Sequence, residues 1–436
     1  MILATSPASA PLLGEVTAPG DKSISHRALI FACLARGQSR VTGLLESEDV
    51  RATANACRQL GMGMRRDQDT LVLDGVGEAG LLAPSAPLEM GNSGTAMRLL
   101  AGVLAAQPFD SVLTGDESLN RRPMTRIVKP LTMMGARIET ADGGTPPLRI
   151  FGNPDLQGID YQSPIASAQV KSCVLLAGLY AAGRTTVTEP LKSRDHTEMM
   201  LPAFGVELQG NCGVKGGSAL QGTVVHVPGD ISSAAFFMVA AAMVPGSDLV
   251  LRNVGLNETR DGIIQVLQAM GADLSIHGRR QQGGEEVGDI RVRYAGRLKG
   301  IVIPVELVPS LIDELPVILA LGAVSDGTTV LRGAAELRVK ESDRLAVMAR
   351  GLETLGVVLQ EYPDGIDIQG GEIQGGQVDG AGDHRCAMSF AVLGQLAAAG
   401  MLVSGAENID TSYPRFVHDL SRVGGSVRVG GIEIVR

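Results

Sequence analysis

One pattern recurs six times in this chain: a polar or turn residue opens an apolar, Ala/Leu-rich helix. The copies lie at Asp21–Gly37, Gly91–Gln107, Ser163–Gly183, Asp230–Gly246, Ser310–Gly327 and Asp383–Gly400. Five close at Gly, and the second closes at Gln107-Pro108. A β-like stretch follows each, at Ser39–Thr42, Val112–Thr114, Thr185–Thr188, Asp248–Arg252, Thr328–Leu331 and Met401–Ser404. Every unit then carries a second amphipathic helix ending at a glycine that leads into another strand (Gly61, Gly135, Gly205, Gly271, Gly356, Gly424), the usual stop signal of a helix. The clearest internal match is Pro19-Gly20-Asp21 with Pro228-Gly229-Asp230, three units apart. The pattern predicts an α/β (α+β) fold of two halves, three repeated β/α units in each. The chain crosses between halves near Pro19-Gly20 and Pro228-Gly229, giving one discontinuous domain of residues 1–18 plus 229–436 and a second of 19–228. A single six-fold solenoid is the weaker alternative, because solenoid repeats run about 20 to 50 residues and these start roughly 70 apart. If the first helices aim their N-termini at the gap between halves, six positive dipole ends face one cleft and form an anion trap made of backbone.

Composition narrows what such a cleft holds. At 436 residues the chain suits two cores. A net charge of −9 argues against a nucleic-acid surface, and the absence of Trp argues against stacked bases. Five cysteines with no C-x-x-C pair point to a reduced, cytoplasmic setting. No signal-peptide pattern and no uninterrupted membrane-length apolar run are evident. The six histidines are scattered without metal-ligand spacing, so no metal site is expected.

Within the first unit, Pro-Gly-Asp-Lys-Ser-Ile-Ser-His-Arg (19–27) runs from a turn into a helix start. Lys22, Ser23 and Arg27 there suit a phosphate or carboxylate, next to the simpler reading of a capped helix with solvated basic residues. Further segments are Gly-Asn-Ser-Gly-Thr-Ala-Met-Arg (91–98), Arg-Arg-Pro-Met (121–124), Ser-Ala-Gln-Val-Lys-Ser (167–172), Arg-Asp-His-Thr-Glu (194–198), Leu-Arg-Val-Lys-Glu-Ser-Asp-Arg-Leu (337–345) and Asp-His-Arg-Cys-Ala-Met-Ser-Phe (383–390). With these in order along nearly its whole length, the chain resembles the 5-enolpyruvylshikimate-3-phosphate synthases.

That resemblance implies transfer of the enolpyruvyl group of phosphoenolpyruvate to the 5-hydroxyl of shikimate 3-phosphate, with release of phosphate and without an organic cofactor. It implies the two-domain inside-out α/β barrel of the enolpyruvyl transferases, an interdomain active site, closure on substrate, a monomer and a place in chorismate biosynthesis. Lys22, Ser23, Arg27, Ser167, Ala168 (through its backbone), Gln169, Arg194, Asp313 and Lys340 would surround shikimate 3-phosphate, with Ser167 and Arg194 on its phosphate. Lys22, Gly94, Arg122, Gln169, Arg344 and Arg385 would hold phosphoenolpyruvate. The family pattern makes Asp313, Glu341 and Lys22 the catalytic groups, with Asp313 acting on the 5-hydroxyl and Glu341 supplying the proton to C3.

Spacing alone reads some of these differently. Ser310-Leu-Ile-Asp313 has capping-box spacing, Glu341 could be a solvated turn residue, and Arg121 and Arg122 could be a surface pair. His384 reads as a helix-start histidine, and Ser93 and Thr95 as backbone-shaping residues. Thr411 stands where many members carry a Lys, and Ala168 where some carry Ser; with the polar insert His277–Asp289 these resemble the class II branch. Glyphosate-tolerant members of that branch commonly carry Ala where this chain has Gly94, so the resemblance implies that glyphosate competes with phosphoenolpyruvate here. The related enolpyruvyl transferase acting on UDP-N-acetylglucosamine typically carries a loop Cys, and residues 110–125 have none. A non-catalytic anion-binding scaffold would have little use for Asp313 and Glu341.

Overall fold

The computed structural model describes residues 1–77 and 80–430. It divides into two compact units, one of Met1–Pro19, Pro228–Gln281 and Glu286–Arg436, the other of Gly20–Val227 with Gln282–Glu285. The last stretch of the segment expected at 229–436, residues 431–436, lies outside the described residues.

The protein is a mixed α/β chain. Among the described residues there are six small sheets of three or four strands, three to each unit, and five of the six mix parallel with antiparallel neighbours. The N-terminal strand Leu3–Thr5 lies between Met401–Ser404 and Val427–Val429, antiparallel to both. Leu13–Thr17 pairs in parallel with Asp248–Gly255, Leu13 opposite Asp248. These pairings tie the first residues to the C-terminal part of the sequence.

Five of the six expected core helices form as single helices within their spans: Lys22–Leu34, Gly94–Ala105, Ala168–Gly178, Ile231–Met243 and His384–Leu393. Their side-chain caps are Asp21, Ser93, Ser167, Asp230 and Asp383, each accepting from backbone N–H groups of the first turn. The third begins later than Ser163: the Ser163 hydroxyl donates to the Ile165 carbonyl, and Ser167 supplies the cap instead. The fifth is broken into a 3-10 turn Val305–Leu307, a short helix Val308–Leu311 and a helix Leu315–Gly322. Pro316 explains the restart: lacking an N–H, it fits only a first turn. Ser310 caps nothing, since its hydroxyl donates to the Leu307 carbonyl, so the capping-box reading of Ser310 and Asp313 fails.

Beyond their polar first turns these helices are largely apolar and buried, and every residue of Ile231–Met243 is buried. Each unit has its own core. In the second unit, helices Gly94–Ala105 and Ala168–Gly178 touch at Gly102, where a Cβ would fall 2.2 Å from the Cys173 carbonyl oxygen. The outer helices stop as their glycines suggest: Gly61, Gly135, Gly205, Gly271, Gly356 and Gly424 all have positive φ. The stretch read as a polar insert, His277–Asp289, belongs to a long hairpin of strands Asp273–Gln282 and Glu285–Arg293.

Candidate active site

In the second unit the helix starts gather most of the expected anion ligands. Asp21 is committed to its cap, accepting from the Ile24 N–H at 2.8 Å. Lys22 Nζ lies 2.6 Å from Asp49 Oδ2. Arg27 is buried and its guanidinium is anchored: Nε donates to Thr197 Oγ1 at 2.7 Å, Nη2 to Ser172 Oγ at 2.6 Å, and Nη1 to the Ser23 carbonyl at 3.1 Å. His26, beneath them, makes a 2.7 Å hydrogen bond with Thr53. Burial, reinforced by the charges of Lys22 and Arg27, pushes its pKa well below the usual imidazole range, so it stays neutral.

The contacts continue into the next two helix starts. Arg98 donates from Nη1 to Gln169 Oε1 at 2.6 Å and from Nη2 to the Pro123 carbonyl, while Gln169 Nε2 donates to Thr95 Oγ1 at 2.9 Å. Arg122 is buried and donates to Asn92 Oδ1 and Ser118 Oγ; Arg121 is exposed and pairs with Glu117. The surface-pair reading therefore applies to Arg121 alone. Gly94 opens its helix beside both guanidinium groups, and a Cβ there would lie 2.8 Å from Arg98 Nη1 and 3.3 Å from Arg122 Nη1. Ser167 caps the third helix, Ala168 is its first residue, and the Ser167 N–H donates to Glu189 Oε1 at 2.7 Å. Arg194 lies half-buried in the loop that leads into helix His196–Met200.

In the first unit the expected residues converge on one buried guanidinium. Arg344 donates from Nε to Asp383 Oδ2 at 2.8 Å, from Nη1 to Asp313 Oδ1 at 3.2 Å, and from Nη2 to Glu341 Oε2. Burial alone would lower its pKa, but the three carboxylates, Asp383 foremost, raise it well above the usual arginine range and fix the charge. Arg385 donates to the Asp313 carbonyl at 3.2 Å, and its Nε lies 4.0 Å from Asp313 Oδ1, as does Lys340 Nζ. Asp383 also caps its helix through the Arg385 N–H. Glu341 is thus an ion-paired carboxylate, not a solvated turn residue. Thr411 is buried, donating to the Asn408 carbonyl and facing His384 Nδ1 at 3.4 Å.

Sequence reasoning missed the residues that hold these groups: Arg98, Asn92, Thr95, Asp49, Ser172, Thr197, Glu189 and Asp383. Arg98, Asn92 and Thr95 sit inside the 91–98 segment, so that segment itself was the available signal. Ser172, Thr197 and Asp383 likewise sit inside the segments 167–172, 194–198 and 383–390, whereas Asp49 and Glu189 reach the site only through tertiary contacts.

The same two clusters lie in a chain whose sequence matches a family profile described as EPSP synthase (3-phosphoshikimate 1-carboxyvinyltransferase) over residues 7–420. This chain belongs to the EPSP synthase family. A 3-phosphoshikimate 1-carboxyvinyltransferase of Xanthomonas campestris pv. campestris is 54% identical over 409 residues, 93% of each chain. One from Xanthomonas axonopodis pv. citri is 53% identical over 424 residues, 96% of each. The solved EPSP synthase of Acinetobacter baumannii superimposes with a TM-score of 0.87 at 48% identity, covering 98% of this chain and 99% of its own. Among the described residues, no helix is long and apolar enough to cross a membrane.

Proposed function

We propose that the two clusters act on one pair of substrates, the first binding the anionic groups and the second moving protons. The activity is that of the family: the enzyme is a 3-phosphoshikimate 1-carboxyvinyltransferase of the shikimate pathway, which leads to the aromatic amino acids. Its substrates, shikimate 3-phosphate and phosphoenolpyruvate, each bear a phosphate and a carboxylate, and planar guanidinium forks and helix N-termini match both groups. In our reading Lys22, Ser23, Arg27, Ser167, Ala168, Gln169, Arg194 and Lys340 surround shikimate 3-phosphate. Lys22, Gly94, Arg122, Gln169, Arg344 and Arg385 receive phosphoenolpyruvate.

The observation that carries the chemistry is Arg344, which holds Asp313 and Glu341 on two arms of one buried cation. Addition then elimination needs two groups that donate and accept in turn. Asp313 takes the proton of the 5-hydroxyl as that oxygen bonds to C2. Glu341, entering this step protonated once the phosphoenolpyruvate carboxylate has replaced it on Arg344, gives that proton to C3, which becomes a methyl in the tetrahedral adduct. In the second step the C2–O bond to phosphate breaks, Glu341 removes a C3 proton, and Asp313 returns its proton to the departing phosphate. Lys22 assists as a cation beside both substrates. For phosphoenolpyruvate to bind Arg344, its carboxylate must exchange with one of the present carboxylate partners. Asp313→Asn and Glu341→Gln are each expected to retain substrate binding and lose at least about a hundredfold in kcat. Parent-like turnover in both would refute the assignment.

The finer features follow the same reading: an inside-out barrel in each domain, a cytoplasmic monomer, and the class II branch. Ala168, the Thr411 that faces His384 and the 273–293 hairpin support the last of these.

A further inference from the structure

We propose that Lys171 and Glu189 form a buried clamp that positions the subsite for the phosphate of shikimate 3-phosphate, leaving the phosphoenolpyruvate side untouched. The inference rests on the assignment of Ser167 and Arg194 to that phosphate.

Lys171 is one turn beyond Ser167 on the core helix Ala168–Gly178 and is only 3% exposed. Its ammonium has three N–H donors and three acceptors: Glu198 Oε1 at 2.8 Å, Glu189 Oε2 at 2.9 Å and the Ser193 carbonyl at 3.4 Å. Glu189 in turn accepts the Ser167 N–H at 2.7 Å, the Ser193 hydroxyl at 2.7 Å and the Ser193 N–H at 3.3 Å. One carboxylate therefore joins the cap residue of the helix to the residue just before Arg194. Glu198, on helix His196–Met200, secures the segment just after it. Both sides of Arg194 and the backbone of Ser167 are fixed by the same ion cluster.

The charges explain why a lysine is needed. A lone Glu189 carboxylate, hydrogen-bonded to one phosphate ligand and adjacent to the other, would repel the phosphate it helps to place. Lys171 offsets one of the two negative charges that Glu189 and Glu198 bring to this spot, while keeping the hydrogen bonds. Burial alone would lower the lysine pKa, but Glu198 and Glu189 reverse the shift, so the ammonium persists. Buried ion pairs add little net stability compared with apolar residues of the same volume, so a gain in stability is a poor account of this cluster. The phosphoenolpyruvate side has separate holders, Arg98 and Thr95 for Gln169 and Asn92 and Ser118 for Arg122, so loosening the clamp does not reach it.

The test is steady-state kinetics of Lys171→Met, Glu189→Gln and Ser167→Ala, with shikimate 3-phosphate and with unphosphorylated shikimate as acceptors. The clamp variants are expected to raise KM for shikimate 3-phosphate at least about tenfold, with kcat and KM for phosphoenolpyruvate within about twofold. Preference for the phosphorylated acceptor falls in parallel, because shikimate makes no use of the subsite. If Lys171→Met does not fold, Lys171→Met/Glu198→Gln removes the ammonium with less buried charge left over. Equal losses for both substrates, or a lowered Tm with unchanged KM values, would overturn the proposal and leave a purely structural cluster. If Ser167→Ala raises KM and the clamp variants do not, the clamp alone is refuted. If the clamp variants raise it and Ser167→Ala does not, the clamp stands and the role of Ser167 falls. If none does, both fall.

Discussion

Replacing Gly94 by alanine adds one methyl at a helix start where backbone strain plays no part, since φ is not positive there. The added Cβ would stand 2.8 Å from Arg98 Nη1, inside any tolerable contact, and 3.3 Å from Arg122 Nη1. Arg98 must retreat by roughly half an ångström or more to reach ordinary van der Waals separation. It is tethered on both arms, to Gln169 Oε1 at 2.6 Å and to the Pro123 carbonyl. Retreat therefore breaks or lengthens a charged hydrogen bond worth about 1.5–3 kcal/mol, which is about 10- to 150-fold in affinity when the bond is needed for binding. Alanine is also a better helix residue than glycine by up to about 1 kcal/mol, which offsets only part of that loss, so stability should fall by no more than about 2 kcal/mol. We expect KM for phosphoenolpyruvate to increase about tenfold or more, inhibition by glyphosate to weaken further still, and Tm to be unchanged or modestly lower. Steady-state kinetics with both compounds and a thermal melt check this. Unchanged KM together with unchanged inhibition would refute the argument that the methyl acts through Arg98.

Further outcomes follow from the buried charges. Arg344→Met should destabilise the protein by about 3–5 kcal/mol in urea titration, because it strands Asp383 and two further carboxylates without their cation. His26 titrates in the unfolded chain near pH 6.5 but resists protonation when folded, so the unfolded state binds the extra proton in acid. Its contribution therefore makes stability fall as pH drops below about 6.5, by up to about 1.4 kcal/mol per unit. His26→Asn should flatten the stability profile between pH 5 and 6.5, and an identical profile in the variant would contradict the buried neutral ring.

Much of the scaffold was legible because its signals are local. Asp21, Asp230 and Asp383 cap helices that their positions announce, and the six helix-ending glycines take the left-handed backbone only glycine adopts freely. Local reading failed where a distant or competing constraint ruled. Gly37, expected to end the first helix, instead lies in strand Arg36–Thr42, whose pairing with Thr70–Val76 pulls the chain out of the helix at Leu34. Pro316 divided the fifth helix, and the capping-box spacing of Ser310 and Asp313 meant nothing once the chain broke there.

The sequence by itself determined where helices begin and stop, that six similar units share one chain, and, through short segments in order, the family. Periodicity and caps act over one or two turns, so a linear reading captures them. Only the tertiary structure decided which charges meet. Asp313 reaches Arg344 from the turn between two helices and Asp383 from another helix start, Arg27 finds Thr197 and Ser172, and Glu189 finds Ser167. An ion pair falls off over a few ångströms of space whatever the separation along the chain, and no local pattern records that distance.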